Sequence, residues 1–133
     1  MRSALPALLL AGCASVPVAA PLTQAPVVAA SAETDPVDTA HDAADDPAIW
    51  RNAKDPAQSL VIGTDKKAGI HVYDMAGKRV SFTSAARLNN VDLREHGGRV
   101  IAVASDRADV AQAHVALFTL DTSTRRLVPM GRY

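Results

Sequence analysis

Apolar and polar residues alternate in short runs from about residue 48 to the end of the chain, and turn residues bound each run. Ala48-Ile49-Trp50, Leu60–Thr64, Ile70–Tyr73 and Arg79–Phe82 read as four short strands. Between them lie the Asp55-Pro56 turn, the Lys66–Gly69 loop and the Ala76-Gly77-Lys78 hairpin turn. The series then starts again. Asn90–Arg94, Val100–Ala104, Val115–Leu120 and Leu127–Met130 are predicted strands, separated by Gly97-Gly98, by Asp106–Gln112 and by Thr122–Arg125.

The two series overlay. Asp45 falls on Asn89, Asp65 on Asp106 and Asp74 on Asp121, at offsets of 44, 41 and 47 residues. Four short strands per unit, at a period of about 40–50 residues, is the pattern of a β-propeller blade. The expected fold is therefore all-β, with two consecutive four-stranded antiparallel blades. A sandwich of eight short strands is the alternative, and it leaves the repeat unexplained. Closing a propeller takes about four to eight blades, because closure removes open sheet edges. The chain is thus expected to be the N-terminal portion of something longer.

Upstream of the strands the alternation disappears. Met1-Arg2 gives a positive start, Ser3–Leu10 is mostly apolar, and Leu10-Ala11-Gly12-Cys13 looks like the lipobox of a bacterial lipoprotein. The apolar run is too short to span a bilayer. Residues 1–13 are expected to be a signal segment, with Cys13 lipidated. An ordinary signal peptide, or a misplaced start with a chance cysteine, is the alternative. The product is expected to be exported, as a periplasmic or outer-membrane-anchored lipoprotein or as an extracellular protein, and Ala14 after the cysteine favours the outer membrane. Residues 14–32 are uncharged, rich in Ala, Pro and Val, and read as a disordered tether. The folded domain is expected over residues 33–133.

Charge narrows the function classes. The 133 residues hold 14 basic and 14 acidic side chains, so nothing suggests a nucleic-acid partner. Aromatic residues make up 4%, too few for a base-stacking platform. A single cysteine rules out an internal disulfide and a Cys-based zinc site. Acidic residues gather between Glu33 and Asp46, as a solvated face or a cation-collecting lip.

Two sets of residues suggest chemistry. Asp45-Asp46-Pro47 offers hard oxygen ligands on a stiffened backbone, which suits Ca²⁺; a solvated turn is the plainer reading. Adjacent side chains on extended backbone point to opposite sides, so each carboxylate can face its own partner. The overlay also places Lys66 and Arg107 one residue after matched aspartates, with Lys67 beside the first. Equivalent loops of neighbouring blades share a propeller face, so these cations converge on one mouth, where Arg and Lys could grip a phosphate ester. Solvated loop cations are the plainer alternative. Other phosphatase chemistries are missing: there is no Cys-x5-Arg loop and no Arg-His-Gly triplet. No G-x-S-x-G elbow or Gly-rich phosphate loop is present, and His41, His71, His96 and His114 have no helical metal spacing.

Four motifs together carry a family resemblance. The segment Glu33–Trp50, the loop Gly63-Thr64-Asp65-Lys66-Lys67-Ala68-Gly69, the strand Leu88-Asn89-Asn90-Val91-Asp92-Leu93-Arg94 and the turn Ala104-Ser105-Asp106-Arg107 resemble the bacterial β-propeller phytases. The resemblance runs from about Glu33 to the end, in order. It implies a six-bladed, usually monomeric propeller that binds several Ca²⁺ ions. It implies a phosphoric monoester hydrolase, a 3-phytase, acting on myo-inositol hexakisphosphate as its calcium complex through metal-activated water. Asp45 would ligate calcium in the active site, and Asp46 with the carbonyls of Pro47 and Val91 would hold a structural calcium. Lys66, Lys67 and Arg107 would bind substrate phosphates, with Asn89 nearby. Most of the family's active-site acids lie in later blades that these residues do not include, so the chain alone is expected to be inactive.

Two other readings compete. A non-catalytic, calcium-binding lipoprotein could use open sheet edges to hold a partner. A propeller hydrolase acting on lactones or sugars would not explain the cluster of Lys66, Lys67 and Arg107.

Overall fold

Among the described residues eight strands form, each over one of the alternating runs. The computed structural model describes residues 25–85 and 87–133. Strands β1 (Ala44–Trp50), β2 (Leu60–Asp65), β3 (Gly69–Tyr73) and β4 (Arg79–Ser84) make one antiparallel sheet in chain order. Strands β5 (Leu88–His96), β6 (Arg99–Asp106), β7 (His114–Asp121) and β8 (Arg126–Arg132) make a second, with the same connectivity. The Asp55-Pro56 turn contains a short 3₁₀ segment, Pro56–Gln58, capped by the Asp55 carboxylate. The lipobox with Cys13 and the first part of the tether lie outside the described residues; residues 25–32 carry neither strand nor helix. The architecture is all-β, and two such four-stranded sheets are consistent with part of a β-propeller.

One face of each sheet meets the other. Leu60 and Ile62 of β2 and Ile70 and Val72 of β3 join a single core with Val91, Ala102, Ala104, Phe118, Leu120 and Leu127 of the second sheet. Burying a side chain of the Leu, Ile or Phe type contributes about 1.5–3 kcal/mol. Polar pins at the sheet margins complete the seam. Ser81 and Thr83 alternate on β4 and donate to the carbonyls of Arg125 and Leu127 at 2.6 and 2.8 Å. Trp50 Nε1 donates to Glu95 Oε1 at 3.1 Å.

The two sheets share a detail finer than strand count. Between Ala44 and Pro47 the register of β1 against β2 shifts, so three steps on β1 match two on β2, from Asp65 to Gly63. Between Leu88 and Val91 the register of β5 against β6 shifts in the same way, against Asp106 to Ala104. Each is a one-residue β-bulge. Matched hydrogen bonds surround them. The Asp46 N–H donates to Thr64 Oγ1 and the Asn90 N–H to Ser105 Oγ, both at 3.1 Å. The Lys66 N–H reaches the Ala43 carbonyl at 2.8 Å, and the Arg107 N–H reaches that of Arg87 at 2.9 Å.

This corrects the expected start of both first strands. Asp45-Asp46-Pro47 lies inside β1, at the bulge, and Asn89-Asn90 lies inside β5. A bulge absorbs the extra residue without ending the ladder. Pro47, which cannot donate, sits where the regular ladder is interrupted.

The acidic segment before β1 is a strap across the outer face of the first sheet, tied to it by named pairs. The Asp35 N–H donates to the Gly77 carbonyl at 2.7 Å, and the Arg79 N–H donates to Asp35 Oδ2 at 2.8 Å. The Arg79 guanidinium grips both oxygens of Asp38, at 2.7 and 3.2 Å. Thr39 donates through Oγ1 to the buried carboxylate of Asp65. Beneath the strap lies His71, 1% exposed and stacked near Tyr73 and Phe82.

Candidate functional site

The bulge in β1 sends its two carboxylates apart. Asp45 Oδ1 lies 3.4 Å from Lys66 Nζ. Asp46 turns toward the second sheet, where its Oδ2 accepts a hydrogen bond from the Val91 N–H at 2.9 Å. The structure thus brings Asp46, Pro47 and Val91 to one place, at the seam between β1 and β5. The donor types there fit a hard cation: one carboxylate, and main-chain carbonyls including that of a proline. Among the described residues no three His, Cys, Asp or Glu side chains gather as a metal cluster.

Lys66 and Lys67 sit in the loop between β2 and β3, which a single buried side chain shapes. Asp65, 1% exposed, accepts through Oδ1 from the N–H groups of Lys67 and Ala68 at 2.9 and 3.2 Å. Burial pushes its carboxyl up, but the bonds from Thr39, Lys67 and Ala68 outweigh that and hold it below the ordinary carboxylate range. The loop closes at Gly69 (φ 146°), where any side chain would strike the Thr83 carbonyl. Asp106 does the same work in the second sheet, accepting from the Ala108 N–H at 2.8 Å beside Arg107.

The four predicted phosphate contacts occupy two neighbouring loops and the second bulge. Lys66 is the best held, its ammonium 2.6 Å from Asp42 and its side chain 15% exposed. Lys67 Nζ donates to the Ala40 carbonyl at 2.6 Å. Arg107 is exposed, and Asn89 donates to Asn90 Oδ1 at 2.9 Å. Asp42 links these groups electrostatically. A hydrogen bond from Lys66 and its charge, then the charges of Lys67 and Arg107, hold the Asp42 carboxyl below its usual range. The same pairing, Asp42 first and then Asp45, raises the Lys66 ammonium. A cleft of about 320 Å³ opens beside Asp45 and Asp46 under the strap, and one of about 480 Å³ lies beside Arg107 and His114.

Sequence reasoning missed the strap residues Asp38, Thr39, Ala40 and Asp42. Their partners lie 24 to 41 residues away, so no local spacing marks them. The only available sign was the acidic run itself, facing loops that carry Lys66, Lys67 and Arg79.

Comparison with known proteins gives the family. A family model described as Phytase matches residues 1–131. A 3-phytase of Bacillus subtilis (strain 168) is 48% identical over 87 residues, covering 62% of this chain and 23% of that protein's length. The chain therefore spans less than two thirds of the curated relative it matches. With the family model covering nearly all 133 residues, the chain belongs to the phytase family.

Proposed function

We propose that these residues supply the phosphate-gripping loops and a structural calcium site of a calcium-dependent, six-bladed phytase. It would release phosphate from myo-inositol hexakisphosphate bound as its calcium complex. The observation that carries the reading is the matched placement of Lys66 and Arg107. Each follows an aspartate that caps its own loop, and each is fixed by the same main-chain bond across the bulge. In this reading Lys66, Lys67 and Arg107, with Asn89 beside them, hold phosphate oxygens. Asp46 with the carbonyls of Pro47 and Val91 holds a calcium that locks the seam, and Asp45 ligates calcium on the substrate side. Bound calcium supplies neutralising charge and an activated water for attack on phosphorus. In this reading the 133 residues alone bind polyphosphate without turning it over, because the family resemblance puts most of the active-site acids in later blades.

Titration calorimetry with phytate and calcium tests the reading. Lys66→Ala and Arg107→Ala should each weaken binding about tenfold. Unchanged affinity in both would remove these residues from the site. Export belongs to the same proposal: Cys13 carries the lipid, and Cys13→Ser should abolish fatty-acid labelling of the cellular protein.

A second reading is a calcium-binding module that docks a partner without chemistry. The outer face of the second sheet supports it, with Val128 53% and Met130 44% exposed beside half-buried Ile101, Val103 and Leu117. Calcium binding without phytate binding would favour this reading.

A further inference from the structure

The strap delivers a carboxylate to the place where a phosphate is proposed to bind. Asp42 Oδ1 is 2.6 Å from Lys66 Nζ, and the Ala40 carbonyl oxygen is 2.6 Å from Lys67 Nζ. The two ammonium groups assigned to phosphate are thus already occupied by oxygens of the chain itself. The Asp42 side chain is 89% exposed, so burial does not hold it there. It is held from behind, through the Arg79 grip on Asp38, the Thr39 bond to Asp65 and the Asp35 bond to Gly77. Those anchors lie on β2, on β4 and in the hairpin turn before β4, and none of them is a cation assigned to phosphate.

We propose that the segment Asp38–Asp42 is an internal competitor: it occupies Lys66 and Lys67 in the free protein and must be displaced when a polyphosphate binds. This rests on the phosphate-site reading above and adds a device that sets its affinity. A ligand that must first displace an internal group binds with an apparent affinity reduced by the fraction of sites already open. A polyphosphate reaching Lys66, Lys67 and Arg107 together offers more charge than one carboxylate and one carbonyl, so it displaces the strap.

The test uses the whole chain and tripolyphosphate, with affinity measured by titration calorimetry at fixed calcium and ionic strength. Asp42→Asn removes the competing charge, and an exposed pair of this kind should raise affinity about fivefold. That result alone could reflect relief of simple repulsion, so the deciding variant is Arg79→Gln. It releases the strap from β4 while removing a positive charge. Bulk electrostatics predicts weaker anion binding for Arg79→Gln; a displaced competitor predicts tighter binding. Tighter binding by both variants supports the proposal. Tightening by Asp42→Asn alone overturns it in favour of repulsion. Equal or weaker binding by both overturns it and leaves the phosphate site standing. If neither the parent nor any variant binds tripolyphosphate, the competitor and the phosphate-site reading fall together.

Discussion

The carboxylate of Asp46 on β1 accepts a hydrogen bond at 2.9 Å from the main-chain N–H of Val91 on β5. One side chain thereby ties the first strand of one sheet to the first strand of the next, at the point where both strands bulge. A charged acceptor bonded to a backbone donor contributes about 1.5–3 kcal/mol. Asp46→Ala should lose about that much stability in chemical denaturation. Calcium added to the parent should raise Tm as any native-state ligand does, and the variant should lose that response. Equal calcium stabilisation of parent and variant would separate Asp46 from any ion at the seam.

How far this was legible in the sequence depends on the range of each interaction. The eight strands were legible because alternation is local and most runs end near Gly, Asp or Pro, as at Asp65, Asp74, Gly97, Asp106, Asp121 and Gly131. The repeat was legible too: aligning Asp65 with Asp106 anticipated two loops that share the same capping and closing bonds. The bulge was not, since Asp-Asp-Pro reads as a turn unless the partner strand shows that the ladder continues past it. The strap was hidden because pairs such as Lys66 with Asp42 and Arg79 with Asp38 span 24 and 41 residues without periodicity. His71 was readable as structural from its place in a strand. Its company of Asp65, Tyr73 and Phe82 required the sheet.

Lys66 and Arg107 should matter for binding and little for folding. Their loops are shaped by Asp65, Asp106 and main-chain bonds, all of which survive truncation of the cationic side chain. Arg107→Ala, at an exposed side chain, should therefore keep Tm within about 2 °C of the parent, the range of ordinary surface substitutions; Lys66→Ala, whose side chain is 15% exposed and pairs with Asp42, should stay within about 4 °C. A larger fall in either variant would show that the cation also supports the fold.

His71 makes the stability of the first sheet sensitive to mild acid. Both ring nitrogens are buried without a hydrogen-bond partner among the described residues, and Nε2 lies 3.9 Å from Asp65 Oδ2, beyond bonding distance. Burial, then the charge of Arg79, push the imidazole below its ordinary 6.5, against the pull of Asp65 and Asp38. As pH falls below 6.5 the unfolded chain takes up a proton that the folded one refuses, so stability drops until the lower folded pKa is reached. Above 6.5 this term is fully favourable. His71→Phe keeps a ring between Tyr73 and Phe82 and removes the titration. The decline of Tm between about pH 7 and pH 5 should become shallower in the variant. An unchanged slope would assign the acid sensitivity to the carboxylates, Asp65 first among them.

Gly77 fixes where the strap begins. It adopts φ 81° in the turn before β4, its carbonyl accepts the Asp35 N–H at 2.7 Å, and a Cβ there would strike the Glu33 carbonyl. Gly77→Ala therefore carries two penalties: a left-handed backbone for a residue with a side chain, worth about 1–2 kcal/mol, and displacement of the strap. Gly97 separates them. It has φ 57°, but open space where its Cβ would lie, so Gly97→Ala bears the backbone cost alone. Gly77→Ala should lower Tm more than Gly97→Ala. It alone should speed hydrogen exchange at the Asp35 amide, which bonds to that turn. If the Asp35 amide stays as protected in Gly77→Ala as in the parent, the strap is held without this turn, and its anchoring rests on the Arg79–Asp38 and Thr39–Asp65 pairs.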